Sequence, residues 1–179
     1  MLYNIFKIGL VFWAVKMVWC GRTPQMATSV LEDFPADVNI QPFVKVGNTF
    51  YYFGQNQVSW YNAFLICRTL GGFLASYDSA QELADLSNYL ISKYPLNYYW
   101  WLSGSDQDVE GKFFWYNTGE AIKYADWSAG QPDNMGGNED CVHLWHLTKK
   151  YQMNDARCNM AMNYICQADK PTTIAVSIF

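Results

Sequence analysis

The cysteines of this chain and its apolar first twenty residues constrain most strongly what it can fold into. The chain has five cysteines: Cys20, Cys67, Cys141, Cys158 and Cys166. Residues 1–20 place Lys7 ahead of the apolar run 8–15 and end in a suitable cleavage point, which is the pattern of a secretory signal peptide. Cleavage after Cys20 leaves four cysteines, and an even number in an exported chain implies two disulfides, with three alternative pairings.

A membrane anchor is the competing interpretation of residues 1–20. Lys16 interrupts the apolar run well short of the roughly 20 residues that a membrane span needs, so we expect export without an anchor. Cleavage before Cys20 would leave that residue as an odd thiol able to link two chains.

The length and charge of the chain limit its architecture and its partners. At 179 residues it is long enough for one domain with its own core and short for two. The apolar fraction of 51% argues against a disordered chain. A net charge of −4 and a pI near 5.0 argue against a nucleic-acid surface, so no nucleic-acid partner is expected.

The apolar periodicity predicts two helices followed by strands. Ser59 can cap a helix with an apolar stripe over 60–70 that ends at Gly71, and a capping box at 79–82 begins a second helix at roughly 80–93. A strand or hairpin is expected over 42–53, and short aromatic or β-branched runs follow at 98–102, 112–116, 142–147 and 163–166. Helices followed by strands and long loops indicate an α+β domain.

The segments that flank this domain, and its longest loop, are irregular in pattern. Residues 21–39 form an N-terminal leader without apolar period. The tail 169–179 has no clear partner, although the alternation over 174–178 allows a short strand. The interval 103–141 contains little regular structure, and long loops in a compact domain are usually functional or disordered.

The loop ends in the stretch QPDNMGGNEDC, residues 131–141, which is rich in the oxygen ligands that calcium prefers. A cis peptide bond before Pro132 would turn the side chains on either side of it toward one point. Six protein oxygens are available: one side-chain oxygen each from Gln131, Asp133, Glu139 and Asn154, and a carboxylate and a main-chain oxygen from Asp155. An eight-fold calcium shell then has two places left, which vicinal sugar hydroxyls can fill, because amides donate to hydroxyls and carboxylates accept from them.

Several segments occur in an order and near a spacing that together are highly specific. They are Tyr99-Trp100-Trp101-Leu102-Ser103-Gly104, Glu110-Gly111-Lys112-Phe113, Asp126-Trp127, Gln131-Pro132-Asp133, Glu139-Asp140-Cys141 and Met153-Asn154-Asp155. With these segments the chain resembles, over about residues 40–168, the calcium-dependent C-type lectin domain, and within that family the short secreted insect-type lectins. Met153 stands where the family has Trp, which alters a packing position and spares both ligands that follow it.

The resemblance implies disulfides between Cys67 and Cys166 and between Cys141 and Cys158, the second of which clamps the sugar-binding loop. The family's Gln-Pro-Asp motif implies specificity of the galactose and N-acetylgalactosamine type, whereas Glu-Pro-Asn would imply mannose. The family's strong galactose binders usually place a Trp just after the motif, where this chain has Asn134 and Met135, so we expect weak or broad galactose binding.

The resemblance also implies which residues form the sites. The calcium ligands, which also contact the sugar, would be Gln131, Asp133, Glu139, Asn154 and Asp155. An auxiliary second calcium site would use Asp106, Glu110, Asn134, Glu139 and Asp140, with Asn134 in place of an expected acid.

Three other interpretations of these residues are weaker. Cys141, His143 and His146 could be imagined as zinc ligands, but the two histidines would face opposite sides of a strand and the cysteine is needed for a disulfide. Two of the acids could form a glycosidase pair, but they are committed to calcium and no nucleophile with a base beside it is apparent, so we expect no enzyme. The aromatic run 98–101 is typical of strand packing rather than of sugar stacking.

The sequence therefore predicts a secreted, calcium-dependent lectin whose partners are galactose-containing glycans or glycoproteins on cells or microbes. Agglutination would require a homo-oligomer, because one domain has one site. The alternative is a protein-recognition module of the same fold, whose calcium loop is structural and whose loops 103–140 bind a protein.

Overall fold

The computed structural model of the chain describes residues 26–31, 40–147, 149–169 and 173–178. The predicted signal peptide, residues 1–20, lies outside the described residues. No described helix has the length and apolar character needed to cross a bilayer. The chain divides into a small unit of two strands and a larger unit within residues 33–171.

The described residues form eleven strands and two helices. In chain order they are β1 (Met26–Leu31), β2 (Val44–Val46), β3 (Thr49–Val58), α1 (Trp60–Thr69), β4 (Gly72–Leu74), α2 (Ala80–Lys93), β5 (Trp100–Ser105), β6 (Phe114–Trp115), β7 (Glu120–Ala121), β8 (Cys141–His146), β9 (Tyr151–Ala156), β10 (Met162–Ala168) and β11 (Thr173–Ile178).

The small unit is an antiparallel pair of β1 and β11, with Met26 opposite Ile178 and Leu31 opposite Thr173. A strand in the tail was allowed by its alternation. The strand within the 21–39 leader was not expected, because its partner lies at the other end of the chain and no local pattern identifies it.

The larger unit is built on a nine-stranded mixed sheet. Its main path runs β2-β3-β10-β5-β6-β7, β4 pairs with β10, and β8 joins β5 to β9. Only β10 and β5 pair in parallel among the described strands of this sheet. The α+β class and the opening hairpin, β2 with β3, are confirmed.

Both predicted helices form, and each begins at its predicted cap. The Ser59 hydroxyl accepts from the Asn62 amide at 3.4 Å before α1, and the Ser79 hydroxyl accepts from the Glu82 amide at 3.2 Å before α2. The Glu82 carboxylate reaches back to the amide of Asp78 at 3.0 Å, so the first turn of α2 is closed from both sides.

The core lies on both sides of the sheet, because successive residues of a strand face opposite ways. Trp100 packs in one cluster with α2, through Leu83, Leu86 and Leu90. Trp101, the next residue, packs in the other cluster, which includes the buried face of α1. Both tryptophans have no solvent exposure, so the aromatic run serves packing at these two positions, as expected.

Two disulfides fix the ends of the elements that carry the loops. Cys67 of α1 is bonded to Cys166 of β10, and Cys141 at the start of β8 is bonded to Cys158 just after β9. These are the two pairings that the resemblance implies. Their sequence separations of 99 and 17 residues mean that the first closes most of the larger unit and the second closes only the β8–β9 hairpin.

Candidate functional site

The residues just before Gln131 anchor its loop to β9. Trp127 forms a parallel bridge with Met153, and the backbone and hydroxyl of Ser128 both donate to the Met153 carbonyl, at 3.0 and 2.9 Å. The Gln131 amide then donates to the Ser128 carbonyl at 2.9 Å, and the Gln131–Pro132 bond is cis, as the sequence suggested. Gln131 is thus held close to β9, the strand that carries Asn154 and Asp155.

Asp155 closes the turn after the proline. It lies in β9 with no solvent exposure, and its carboxylate accepts from the Asp133 amide at 3.2 Å and from the Asn134 amide at 2.8 Å. Asn134 has a positive φ of 42°, which asparagine tolerates better than most residues because its short side chain bonds locally.

Asn134 and Glu139 hold the next turn together. The Asn134 side-chain oxygen accepts from the Glu139 amide at 3.0 Å, and the Glu139 carboxylate accepts from the Met135 amide at 3.2 Å. Between them Gly136 and Gly137 have φ values of 82° and 70°, a conformation that favours glycine. This turn explains why the two glycines lie between the ligands.

Three of the predicted ligands form one acidic group. Ligand oxygens of Asp133, Glu139 and Asp155 all lie within 4.8 Å of one another, and no other such group of three occurs among the described residues. Burial raises the pKa of the Glu139 carboxyl, and the nearby charges of Asp155 and Asp133 raise it further. Three carboxylates at this spacing repel one another, so a cation between them would be stabilising.

The two predicted amide ligands supply the clearest test of whether a cation fits. The side-chain oxygens of Gln131 and Asn154 are both buried and have no hydrogen-bond partner. Buried polar atoms are nearly always paired, and a pair of unpaired oxygens next to three carboxylates is what an oxygen-ligated cation would satisfy. The residues present therefore fit calcium.

The β8–β9 hairpin places a histidine beside the candidate site. No sequence pattern predicted that this histidine would lie there. His143 lies directly opposite Asn154, and the Asn154 amide nitrogen lies 3.0 Å from His143 Nε2. Burial lowers the pKa of His143 to about 4, so its ring is neutral near pH 7. The register of the hairpin would have been needed to find this contact.

The second predicted set includes Asp106, the first residue after β5. Asp106 is buried, with one oxygen accepting from the Gly111 amide at 2.8 Å and the other without a partner. Burial raises the pKa of Asp106, and the charges of Glu110 and Asp140 add to that effect. The Asn134 oxygen is already bonded to the Glu139 amide, and an auxiliary calcium here stays a prediction.

An open groove of about 770 Å³ lies along the same loop region. Its apolar lining includes Val109, Phe113, Ile122 and Trp127, with Phe113 and Trp127 in ring contact at 4.9 Å. None of the five predicted ligands of the first calcium site lines it.

The chain matches a family model and known proteins over much of its length. A family model described as the lectin C-type domain matches residues 56–168. C-type lectin 37Da of Drosophila melanogaster is 31% identical over 149 residues, covering 79% of this chain and 80% of that protein. C-type lectin 37Db of the same fly is 38% identical over 124 residues, covering 69% and 80%.

Solved structures match as well. The C-type lectin CEL-I from Cucumaria echinata gives a TM-score of 0.65 at 28% identity, covering 73% of this chain and 97% of that one. The carbohydrate-recognition domain of mouse scavenger receptor C-type lectin gives 0.64 at 25% identity, covering 73% and 98%.

Proposed function

This chain belongs to the C-type lectin domain family, and from that membership we propose that it is a secreted, calcium-dependent lectin for glycans ending in galactose or N-acetylgalactosamine. The family and its named relatives are lectins, so the protein is a carbohydrate-binding protein and not an enzyme. Its partners would be glycoconjugates of cells or microbes. The signal-peptide pattern of residues 1–20 supports export.

The observation that carries the proposal is the ligand set around the cis proline. It combines three mutually close carboxylates with two buried amide oxygens that have no partner. Gln131, Asp133, Glu139, Asn154 and Asp155 would hold calcium through these oxygens. The bound calcium would offer its remaining places to a pair of sugar hydroxyls.

The order of amide and acid around the proline supports the galactose type. Gln131 can donate to a hydroxyl and Asp133 can only accept from one, so a vicinal pair is oriented by which side of the proline holds the donor. Exchanging the amide and the acid would reverse the orientation of the hydroxyl pair that the site prefers.

The surface after the motif supports weak binding. Met135 is 66% exposed and no aromatic side chain follows Asp133 in the turn, so a sugar would lack a stacking partner from this segment. We therefore expect millimolar affinity for a single galactose, about −4 kcal/mol, with useful avidity only when several sites act together.

The ligand assignment can be tested at Asp155. Asp155→Ala removes a carboxylate from the acidic group and also the acceptor of two turn amides, so calcium and sugar binding should both be lost. Asp155→Asn keeps an acceptor while removing the charge and should lose most of the calcium affinity. The readouts are titration calorimetry with calcium and retention on immobilised galactose.

Asp126→Ala is the matched control for this test. Asp126 lies just before the same loop and binds Lys150 and Gln152 rather than the turn. Its loss should leave both activities intact. Unchanged calcium binding by both Asp155 variants would refute the ligand assignment.

A protein-recognition role is the second candidate, and the apolar groove favours it. The groove is lined by Val109, Phe113, Ile122 and Trp127, and aromatic anchors such as Trp carry much of the binding energy of protein interfaces. A target that still binds after glycosidase treatment, with no competition from free galactose, would favour this second role over the first.

A further inference from the structure

Helix α1 has apolar side chains on its outer side as well as on the side that faces the core. Trp60, Ala63 and Cys67 are buried. Tyr61 and Leu65 lie one turn apart on the outer side, where they are 48% and 59% exposed. A helix that is apolar all round is normally covered all round, so the outer side of α1 is a candidate contact surface.

An exposed aromatic ring extends this apolar surface beyond the helix. Tyr116, the residue after β6, is 48% exposed, and its ring centroid lies 5.3 Å from that of Trp60 and 5.4 Å from that of Phe64. Phe64 is half-buried and neighbours Tyr61 on the helix surface, because the two are three residues apart. These side chains form one apolar surface, called here the α1 patch: Tyr61, Phe64, Leu65 and Tyr116.

The α1 patch contains no charged side chain. Its residues belong to segments 46–67 and 113–119, neither of which contains Asp, Glu, Lys, Arg or His, although charged residues make up 16% of the chain. Arg68 follows directly, but its guanidinium lies 4.2 Å from the centre of the Phe73 ring and donates to the Gly72 carbonyl at 3.2 Å. This charge is therefore held against β4 of the same chain.

An uncharged apolar surface limits the kind of partner that can cover it. Charged surfaces select their partners through complementary charges, and because this patch offers none, its partner must present matching apolar surface. Another copy of the chain is certain to carry such a surface. Two copies, each with a net charge of −4, can meet here without bringing like charges together.

We infer that the α1 patch is the contact surface between two copies of this chain in a two-fold symmetric dimer. A two-fold axis sets the same patch of each copy against the other. The core of the interface would be rich in aromatic residues and free of charge, which is the typical composition of an interface core.

The size of the α1 patch indicates a weak dimer. The exposed parts of Tyr61, Leu65 and Tyr116 provide about 300 Å² of apolar surface, whereas a standard interface buries roughly 800 Å² on each partner. Polar neighbours would form the rim. The dimer should therefore dissociate on dilution in the micromolar range.

The dimer would use residues other than the proposed ligands. None of the five proposed calcium ligands lies within segments 46–67 or 113–119. Each copy would keep its own site, so a target with several galactose residues would be held by two weak contacts instead of one. The inference itself needs no sugar binding and can be tested separately from the proposed function.

Sedimentation of the full chain over a range of concentrations tests the contact, with Cys20→Ser in every protein to remove any link through that thiol. This parent protein should change from monomer to dimer as its concentration rises through the micromolar range. Leu65→Glu and Leu65→Lys should each stay monomeric, because each places like charges on both sides of the two-fold axis. Ile91→Glu, in an apolar residue of α2 that is 36% exposed, is the matched control and should dimerise as the parent does.

Mixing the Leu65→Glu and Leu65→Lys proteins tests the symmetry of the contact. Opposite charges then face each other across the axis, so the equal mixture should contain a dimer that neither variant forms alone. This recovery requires the two Leu65 positions to lie close together, as they do when the same patch of each copy meets the other.

Three results would overturn the inference: a parent protein that stays monomeric throughout the micromolar range, a dimer that survives both Leu65 changes, and a dimer that is lost in both variants without recovery on mixing. In the third case the patch would face a different surface. Monomeric Leu65→Glu protein should bind calcium with the parent's affinity at each site. Loss of the dimer and failure of the proposed calcium site therefore give different results.

Hydrogen exchange on the parent protein covers the case in which the Leu65 variants do not fold. Amide exchange would be compared between dilute and concentrated protein. Concentration should slow exchange within residues 60–69 and 114–118, because these segments carry the contact. Unchanged exchange in both segments at a concentration where the protein is dimeric would overturn the inference.

Discussion

Asp155 is the residue on which most of the candidate site depends. It contributes one of the three close carboxylates, accepts from two consecutive turn amides and lies fully buried in β9. The same side chain therefore shapes the loop and supplies charge to it. Gln131 and Asp133, by contrast, lie on either side of the proline, outside β9, and in the proposed function they determine which sugar is bound.

Exchanging the amide and the acid on either side of Pro132 should change the sugar preference. Gln131→Glu with Asp133→Asn keeps the number of oxygens and the net charge, so calcium affinity should change little. The donor and the acceptor change sides, and we expect preference to move from galactose toward mannose. Competitive elution from galactose and mannose resins measures this, and a double variant that still prefers galactose would contradict the proposed role of the motif.

The two disulfides join different elements and are expected to have different effects. The Cys67–Cys166 bond ties α1 to β10 in the core, while Cys141–Cys158 closes only the hairpin that presents Asn154 and Asp155. Removing a bond that closes a longer loop releases more conformational entropy in the unfolded chain and therefore costs more stability. The shorter bond is the closer in sequence to the proposed calcium ligands Asn154 and Asp155.

We expect one disulfide to contribute mainly to stability and the other mainly to calcium affinity. Replacing Cys67 and Cys166 by Ala should lower the free energy of unfolding by about 2 to 5 kcal/mol. Replacing Cys141 and Cys158 should lower it less and weaken calcium binding more. Denaturant unfolding without calcium measures stability, and calcium titration measures affinity. Equal effects of both replacements on calcium affinity would contradict the expected role of Cys141–Cys158 in holding the loop.

The helices and the opening hairpin followed from sequence because each has a local cause. Ser59 and Ser79 are caps beside apolar stripes, and proline is the residue that makes a cis bond before Pro132 accessible. β9 was not predicted, because its polar residues 152, 154 and 155 break any apolar alternation and pairing with β8 alone defines it. The contact between His143 and Asn154 was missed for the same reason, since it requires the hairpin register.

For the larger unit as a whole, the buried ionisable groups set how stability changes with pH. The pKa of His143 falls from 6.5 to about 4 on folding, whereas the pKa values of Glu139 and Asp106 rise. Between pH 6.5 and about 4 the unfolded chain holds the His143 proton more tightly, so this residue's contribution to stability is lost as pH falls. The two acids bind protons more tightly when folded and act in the opposite direction above their unfolded pKa.

The histidine contribution can be isolated as a difference between two proteins without calcium. The wild type should lose more unfolding free energy than His143→Phe as pH is lowered from 7 toward 4, because the phenylalanine has no proton to bind. Denaturant midpoints at several pH values measure the difference. If the two proteins lost stability in parallel over this window, His143 would not be a buried neutral ring.

The measurement that tests the central claim most directly is retention of the mature, disulfide-bonded protein on immobilised galactose in millimolar calcium, with separate elution by chelator, galactose and mannose. The predicted result is retention that chelator and galactose release and mannose does not, which would require both the calcium site and the Gln-Pro-Asp specificity. Protein that flows through the resin while calcium still raises its melting temperature would contradict the galactose claim, and would leave a calcium-binding protein whose target is another sugar or a protein.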